Sequence, residues 1–197
     1  MHLIVDTSTE RAIIVLAEGS TPLFVHRFAV GYQSARTLFT EIEKGLAQLE
    51  VTPSDLGGIA VAVGPGLFTG IRVGVAAAKG LAYARKLPLV GLSSLSAFVL
   101  PVGGRFYSVI DGRSRGVYAL LQERSLDAIH EVGELELLTY AEVEKSEYPL
   151  VGPSFARITH SNVFACHPDP DHLALLTDAE IRRYQAHSLP ELQLSYH

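Results

Sequence analysis

Runs of apolar residues predict three short strands at the start of the chain. Residues His2–Val5 form a short apolar run, and Ala12–Ala17 form a second run that is rich in β-branched side chains. A third run, Leu23–Ala29, follows residues 19–22, whose Gly-Ser-Thr-Pro composition is typical of a turn. Strands joined by such short connections pair in an antiparallel meander, so we expect these three strands to be neighbours in one sheet.

Helical and strand-like patterns then alternate as far as residue 99. Apolar residues recur at helical spacing in Ser34–Leu49, with charged residues between them, which predicts an amphipathic helix. The wholly apolar Ile59–Val63 predicts a buried strand, Thr69–Ala84 a long helix, and Leu89–Val90 a further strand. This order is typical of a β-α-β unit with parallel strands. A serine cap favours one more helix over residues 93–99.

The strand pattern restarts after the hinge-like segment 101–104, which predicts a first lobe at 1–101 and a smaller second lobe at 102–197. The elements expected after the hinge are strands at Phe106–Ile110, Val117–Gln122 and Glu134–Leu138, a helix over Tyr140–Ser146, short strands near Leu150 and at Val163–Ala165, a helix over Asp169–Ala186, and a tail over Leu189–His197. The terminal helix is also a candidate to pack back on the first lobe. The order as a whole predicts an α/β protein.

Composition and charge narrow the function classes. The chain is 48% hydrophobic and 19% charged, as ordinary globular proteins are. Its single cysteine, Cys166, excludes an internal disulfide and favours a reducing compartment. The net charge of -5 leaves no overall basic surface for nucleic acid or an anionic membrane. Residues 87–104 carry no charge, but prolines and serines interrupt them, so we expect no membrane span. Without a secretory signal pattern at the N-terminus, a cytoplasmic location is expected.

Several motifs together resemble one known family. They are Asp6–Glu10 after the first predicted strand, Gly64–Gly74 after the buried strand, Lys79–Ala82 in the long helix, and Ile110, Asp111, Arg113, Val117 and Tyr118 around the later hairpin. This set resembles TsaB, also called YeaZ, the bacterial accessory protein for threonylcarbamoyladenosine modification of tRNA. The resemblance covers most of residues 1–122 and thins out afterwards.

The resemblance implies the two-lobed, ribonuclease H-like fold of actin-like ATPases, with a reduced second lobe. It implies a non-catalytic accessory subunit that binds a TsaD-like catalytic threonylcarbamoyltransferase and a TsaE-like ATPase, and that meets tRNA only through their complex. It also implies a homodimer when the chain is alone, and neither cofactor nor metal. The catalytic paralogue carries a His-x-x-x-His metal pair, which this sequence lacks. Two alternatives stay open: an independent ATPase or peptidase of the same fold, and a self-associating structural homodimer.

The same resemblance points to two phosphate-binding loops. Actin-like ATPases hold phosphate between an acidic loop after the first strand and a glycine-rich hairpin in the second lobe. Asp6 and Thr7 correspond to the first loop, and Asp111 and Gly112 to the second. The second loop offers one glycine and two arginines instead of a row of exposed amides, so we expect both loops to be vestigial. The plain alternative is that Asp6 caps a turn and Asp111-Gly112 builds a hairpin.

Small residues recur every four positions along the long predicted helix, and such a stripe lets a second helix approach closely. Val73, Ala77 and Leu81 occupy another face, which we expect to cover the sheet. The stripe therefore indicates a surface for the partner subunit, shared with the first helix. The candidate interface residues are Leu38, Ile42, Gly70, Arg72, Gly74, Ala78 and Ala82. The alternative is that the neighbouring helix of the same lobe fills the stripe.

Overall fold

The computed structural model describes residues 1–31, 34–126 and 128–187, which form two compact units. The first unit combines Met1–Ser94 with the segment that begins at Pro170, and the second unit is Leu95–Asp169. The division between the units thus lies at 94/95, ahead of the boundary expected at 101/102, and the terminal helix belongs to the first unit. The predicted tail at 189–197 lies outside the described residues.

The first unit is built on a five-stranded mixed sheet. Its strands are β1 (His2–Asp6), β2 (Arg11–Glu18), β3 (Thr21–Ala29), β4 (Gly58–Gly64) and β5 (Leu89–Ser93). Their order is β3-β2-β1-β4-β5. The pairs β1–β2 and β2–β3 are antiparallel, and β4 runs parallel to both β1 and β5. The predicted meander and the predicted parallel unit are therefore both present.

The helices, in chain order, are α1 (Ser34–Gln48), α2 (Phe68–Arg85), α3 (Tyr140–Glu144) and α4 (Pro170–His187). In the first unit α1 and α2 share one apolar core with Leu3 and Val5 of β1. Side chains alternate between the faces of a strand, so Gly58, next to the core residue Ile59, points to the other face. Ile181 of α4 packs directly on Gly58. Helices consequently cover both faces of this sheet, which explains why β2 is buried along almost its whole length.

The second unit has its own five-stranded mixed sheet. Its strands are β6 (Gly104–Asp111), β7 (Val117–Arg124), β8 (Ile129–Leu138), β9 (Leu150–Gly152) and β10 (Val163–Ala165), in the order β10-β9-β6-β7-β8. The strands β6, β7 and β8 are antiparallel neighbours, whereas β9 runs parallel to β6 and β10. Strand β8 begins earlier than the predicted Glu134 and lies at an edge of the sheet.

The helix predicted over residues 93–99 is replaced by a single 3-10 turn at Leu95–Ala97 and a segment without regular secondary structure after it. Side chains of β6 and β7 bind the main-chain carbonyls of this segment: Gln122 donates to Leu95, Ser108 to Phe98, and Arg124 to Leu100. These bonds satisfy carbonyl groups that a helix would otherwise have paired internally. The cap-like serines therefore precede a buried link and not a helix.

Among the residues that the structure describes, no helix is long and apolar enough to cross a membrane.

Candidate functional site

The loop between β1 and β2 is a buried polar turn. The Oδ1 atom of Asp6 accepts a hydrogen bond from the Ser8 amide at 2.8 Å. Its Oδ2 atom and the hydroxyl of Ser8, two residues later, are buried and make no hydrogen bond of good geometry within the described ranges, although the Ser8 side chain acts to lower the pKa of Asp6. Burial disfavours the charged carboxylate, and this raises the pKa of Asp6 above its ordinary value. Turn capping thus accounts for one carboxylate oxygen and leaves the other buried and unpaired.

The start of α2 packs tightly against this loop. The Thr7 hydroxyl donates a hydrogen bond to the Gly70 carbonyl at 2.7 Å. A Cβ atom on Gly70 would clash with the Thr7 carbonyl oxygen, and one on Gly74 would clash with the Thr7 hydroxyl. Gly66 is equally confined by the main chain of Ser8. The two sequence motifs that follow β1 and β4 therefore form one packed junction, in which glycine is required by space.

This junction corrects the predicted role of the small-residue stripe. Gly70, Gly74, Ala78 and Ala82 are all buried, and Val5 and Val61 of the sheet lie next to Gly74. The stripe therefore packs within its own lobe, as the alternative expected, but against the first sheet and the loop after β1 where the alternative had named the neighbouring helix. Leu38 and Ile42 of α1 are buried in the same core. The reason is steric, because only residues without long side chains let α2 approach the end of β1.

An open apolar groove lies between α1 and α2, on the face that was expected to cover the sheet. Its cavity volume is about 490 Å³. The lining residues are Ala35, Phe39, Phe68, Thr69, Arg72, Val73, Ala76 and Ala77. Phe39 and Phe68 are 43% and 64% exposed, and the Arg72 guanidinium lies 3.6 Å from the centroid of the Phe68 ring. Such a cation-π contact fixes the arginine over the ring.

Of the seven predicted interface residues, Arg72 alone lines this groove. Phe39 is one of the apolar residues that recur at helical spacing in Ser34–Leu49, and this pattern predicts that its side chain is buried. Phe68 lies directly before the helix predicted over Thr69–Ala84. A signal was present in the sequence, since Phe68 precedes Arg72 by four residues and these positions are neighbours on a helix.

The second predicted phosphate loop is a hairpin whose polar groups are already paired within the second unit. Asp111 Oδ1 accepts hydrogen bonds from the Arg113 amide at 2.7 Å and the Tyr140 hydroxyl at 2.6 Å. Its Oδ2 atom lies 4.0 Å from Arg157 Nε. This carboxylate is also the main cause of the raised pKa of Tyr140. Asp111 therefore acts as the organising residue of the hairpin.

The hairpin amides also have internal partners. The Gly112 amide donates to the Gly116 carbonyl at 2.8 Å, and the Gly116 amide donates back across the turn to Arg113 at 3.2 Å. A Cβ atom on Gly112 would contact the Tyr118 ring at 2.9 Å, so this glycine is required by close packing. Arg113 adopts a positive φ of 58°. A phosphate at this hairpin would have to displace bonds that hold the turn together.

Within the described part of the chain, no group of three or more His, Cys, Asp or Glu side chains is arranged to hold a metal ion.

Comparisons with known proteins agree with these motifs. A family model described as TsaD, tRNA N6-adenosine threonylcarbamoyltransferase, matches residues 30–173. The tRNA threonylcarbamoyladenosine biosynthesis protein TsaB of Escherichia coli (strain K12) is 27% identical over 146 residues, which are 72% of this chain and 63% of the relative. TsaB of Haemophilus influenzae is 32% identical over 121 residues, or 59% of this chain and 51% of the relative.

A tRNA N6-adenosine threonylcarbamoyltransferase of Paracoccus denitrificans is 51% identical over 59 residues, which are 30% of this chain and 17% of that protein. The chain thus spans less than two thirds of the length of these curated relatives. A solved structure of YeaZ from Pseudomonas aeruginosa superposes with a TM-score of 0.78 at 23% identity, covering 97% of this chain and 98% of the other.

That likeness shows the fold: the predicted α/β fold is confirmed, and it is the fold of YeaZ. The family match covers well over half of the chain, and the TsaB relatives align with most of it. The chain therefore belongs to the family of the tRNA N6-adenosine threonylcarbamoyltransferase model, in its TsaB, or YeaZ, branch.

Proposed function

We propose that this chain is a non-catalytic, cytoplasmic accessory subunit in the biosynthesis of threonylcarbamoyladenosine in tRNA, and that it binds a TsaD-type threonylcarbamoyltransferase. Relatives named for this biosynthesis support the pathway. The observation that carries the binding role is the open groove between α1 and α2, where two phenylalanines and a stacked arginine are exposed.

The groove has the chemistry of a protein docking surface. Aromatic residues and arginine are enriched among the side chains that dominate binding energy at interfaces. Covering exposed apolar area contributes about 25 cal/mol per Å² before the costs of association are subtracted. Phe68 and Phe39 offer large apolar area, and Arg72 adds hydrogen-bond donors beside it. A helix of the partner subunit is the element that fits between two helices.

The non-catalytic part of the proposal rests on the two predicted phosphate loops. The Thr7 hydroxyl and the hairpin amides of Gly112 and Gly116 all donate to main-chain carbonyls of the chain itself. Asp6 is buried, and burial favours its neutral form, which would be a poor ligand for magnesium. These features disfavour the alternative of an independent ATPase.

The remaining partners belong to the same proposal. A second copy of the chain would occupy the same groove when the catalytic subunit is absent, since an exposed apolar surface is stabilised by any complementary cover. A TsaE-type ATPase and tRNA would join only in the complex with the catalytic subunit.

The test is association with a purified TsaD-type subunit, measured together with tRNA modification in the reconstituted mixture. Ala76→Glu places a charge in the groove, and we expect it to weaken association by roughly tenfold or more, because the carboxylate would be desolvated. Ala84→Glu is the matched control, since Ala84 is an exposed alanine of the same helix outside the groove. Equal affinities of the two variants, with unchanged melting temperatures, would refute the groove as the interface.

A further inference from the structure

Strand β8 is an unprotected sheet edge. It is ten residues long, and in the described part of the chain β7 is the one strand that pairs with it. Every position from His130 to Leu137 is exposed. An edge strand presents unpaired N–H and C=O groups along its outer side, and folded proteins usually keep such edges short or covered. A long exposed edge is therefore a candidate for pairing with another extended chain.

The regular part of this edge is its C-terminal end. A bulge interrupts the β7–β8 ladder between Leu120 and Gln122, and beyond it the pairing runs without a break from Leu135 to Leu138. Leu135 and Leu137 are 42% and 54% exposed on one face of the strand. Glu136 points to the other face, because side chains alternate along a strand. An added strand would thus meet apolar side chains on one face and a carboxylate on the other.

A cavity of about 270 Å³ opens beside Glu136. Its apolar lining includes the buried residues Val109, Ala119 and Leu150. The volume is just below the range of small-molecule pockets, roughly 300–1,000 Å³, and so suits a single long side chain. The cavity lies on the same face as Glu136, since Ala119 is the residue paired with Glu136 across the ladder.

The polar lining of the cavity favours a cation. Three exposed glutamates, Glu136, Glu142 and Glu147, contribute to it, and so do two tyrosine rings, Tyr107 and Tyr148, whose centroids are 6.0 Å apart. Burial and then the charge of Glu136 raise the pKa of Tyr107, so the field of this carboxylate reaches into the cavity. An aliphatic stem would pack on the apolar lining while its cationic head met the carboxylates and ring faces.

Arg105 and Lys145 lie near the cavity, but these two positive charges do not neutralise its three glutamates. Arg105 hydrogen-bonds Tyr148 and pairs with Glu123 at 3.3 Å, so its charge is already shared. The Oε2 atom of Glu142 accepts hydrogen bonds from the amide and the hydroxyl of Thr139 at the start of α3, and these bonds are the main cause of its lowered pKa. The charge of Lys145 lowers the pKa of Glu142 least.

The negative charge of the edge also disfavours pairing with a second copy of β8 or with residues 188–197 of the chain itself. A second copy of β8 would add three glutamates and no lysine or arginine to this acidic edge, and in antiparallel registers centred on Glu134 or Glu136 it would place glutamate opposite glutamate, which destabilises a ladder. The chain's own residues 188–197 contain Glu191 and no lysine or arginine, so they lack the required charge.

We infer that the β8 edge at Leu135–Leu138 pairs with an extended segment of a partner protein, and that a lysine or arginine of this segment fills the cavity bounded by Tyr107, Tyr148 and Glu136. Main-chain bonds to the edge supply affinity, and the cavity selects the basic side chain. This surface belongs to the second unit and is independent of the groove between α1 and α2.

The experiment is calorimetry of the full chain with a blocked peptide that alternates valine and lysine. Three probes are run beside it: the same peptide with glutamate for lysine, the lysine peptide with N-methylated main-chain amides, and spermidine. We expect the unmodified lysine peptide to bind about tenfold or more tightly than each of the other three, because it alone combines strand pairing with positive charge. Hydrogen exchange of the β8 amides is expected to slow when this peptide binds.

Charge-reversal variants test whether the lysine of the peptide binds in this cavity. Glu136→Lys is expected to weaken binding of the lysine peptide about tenfold, whereas Glu18→Lys, an exposed charge reversal in the first unit, leaves it unchanged. Glu147→Lys, outside the sheet, gives the same test if the first variant melts early. Equal binding of the N-methylated peptide or of spermidine, unchanged β8 exchange, or unchanged affinity in both cavity variants would each overturn the inference.

Discussion

At the scale of single residues, Asp6 combines a structural role with an energetic cost. Its Oδ1 atom caps the turn after β1, and its Oδ2 atom is buried without a partner. A buried carboxyl group binds its proton more tightly than an exposed one, so the folded state favours protonated Asp6. The contribution of Asp6 to stability is therefore fully present below the pKa of the unfolded chain. It is lost as the pH rises through the higher pKa of the folded state.

Asp6→Asn should remove this pH dependence. The amide keeps an oxygen that accepts from Ser8 and is neutral at every pH, so we expect the melting temperature of the variant to rise relative to wild type between about pH 4 and pH 7. Asp55→Asn is the control of opposite sign. Hydrogen bonds from Thr52 lower the pKa of Asp55, so its contribution is present above the unfolded pKa and lost as the pH falls. A difference between Asp6→Asn and wild type that stays constant with pH would contradict the burial argument.

At the scale of elements, α2 shows two kinds of glycine. Gly70 lies against the main chain of Thr7 and has no room for a Cβ atom, whereas Gly80 is exposed with no atom within 4 Å of that position. Gly74 is confined like Gly70, so a bulky residue there would separate the helix from the sheet before it affected any partner. Close packing therefore requires glycine at Gly70 and Gly74, whereas nothing in the packing requires it at Gly80.

Alanine at these two positions should act in opposite directions. We expect Gly70→Ala to destabilise the first unit by about 1–3 kcal/mol, because the methyl group overpacks a rigid contact. Gly80→Ala should stabilise it by about 0.5–1 kcal/mol through the higher helix propensity of alanine. Denaturant unfolding of both variants measures these changes. Equal effects at the two positions would show that space at the Thr7 junction is not limiting.

At the scale of the whole molecule, two compact units each hold one of the predicted phosphate loops. Asp6 and Thr7 lie in the first unit, and Asp111 and Gly112 lie in the second. The Thr7 hydroxyl, the Asp111 carboxylate and the Gly112 amide form hydrogen bonds within their own units, and Asp6 is buried. A working nucleotide site needs free amides or a charged metal ligand. The chain is acidic overall, with a net charge of -5, which also disfavours binding of a polyanion.

We therefore expect the isolated chain to bind ATP and magnesium with a dissociation constant in the millimolar range or weaker, about -4 kcal/mol or less favourable. Isothermal titration calorimetry on wild type and Asp6→Ala measures this directly. Micromolar binding that disappears in Asp6→Ala would revive the ATPase alternative and contradict the non-catalytic assignment.

The sequence by itself determined the family and the order of elements, apart from the helix expected over residues 93–99. Alternation and helical spacing are local properties, so the strands around Ile13 and the apolar face of α1 were predictable without knowledge of their neighbours. The motifs at Asp6–Glu10 and Gly64–Gly74 indicated the family because they are long and contiguous. The structure adds that these two motifs meet, through Thr7 and Gly70.

Only the tertiary structure decided which faces are open. Arg72 and Lys79 lie one heptad apart on α2 and most of its other residues are apolar, so spacing alone does not decide which apolar face packs on the sheet. The clash that a side chain at Gly70 would make with Thr7 settles it, and this contact joins residues 63 positions apart. Contacts distant in sequence also determine the conformation of residues 95–100. Side chains of β6 and β7 donate hydrogen bonds to the carbonyl groups of this segment, and no local pattern reveals these bonds. Local periodicity specifies an element, whereas contacts distant in sequence specify its orientation.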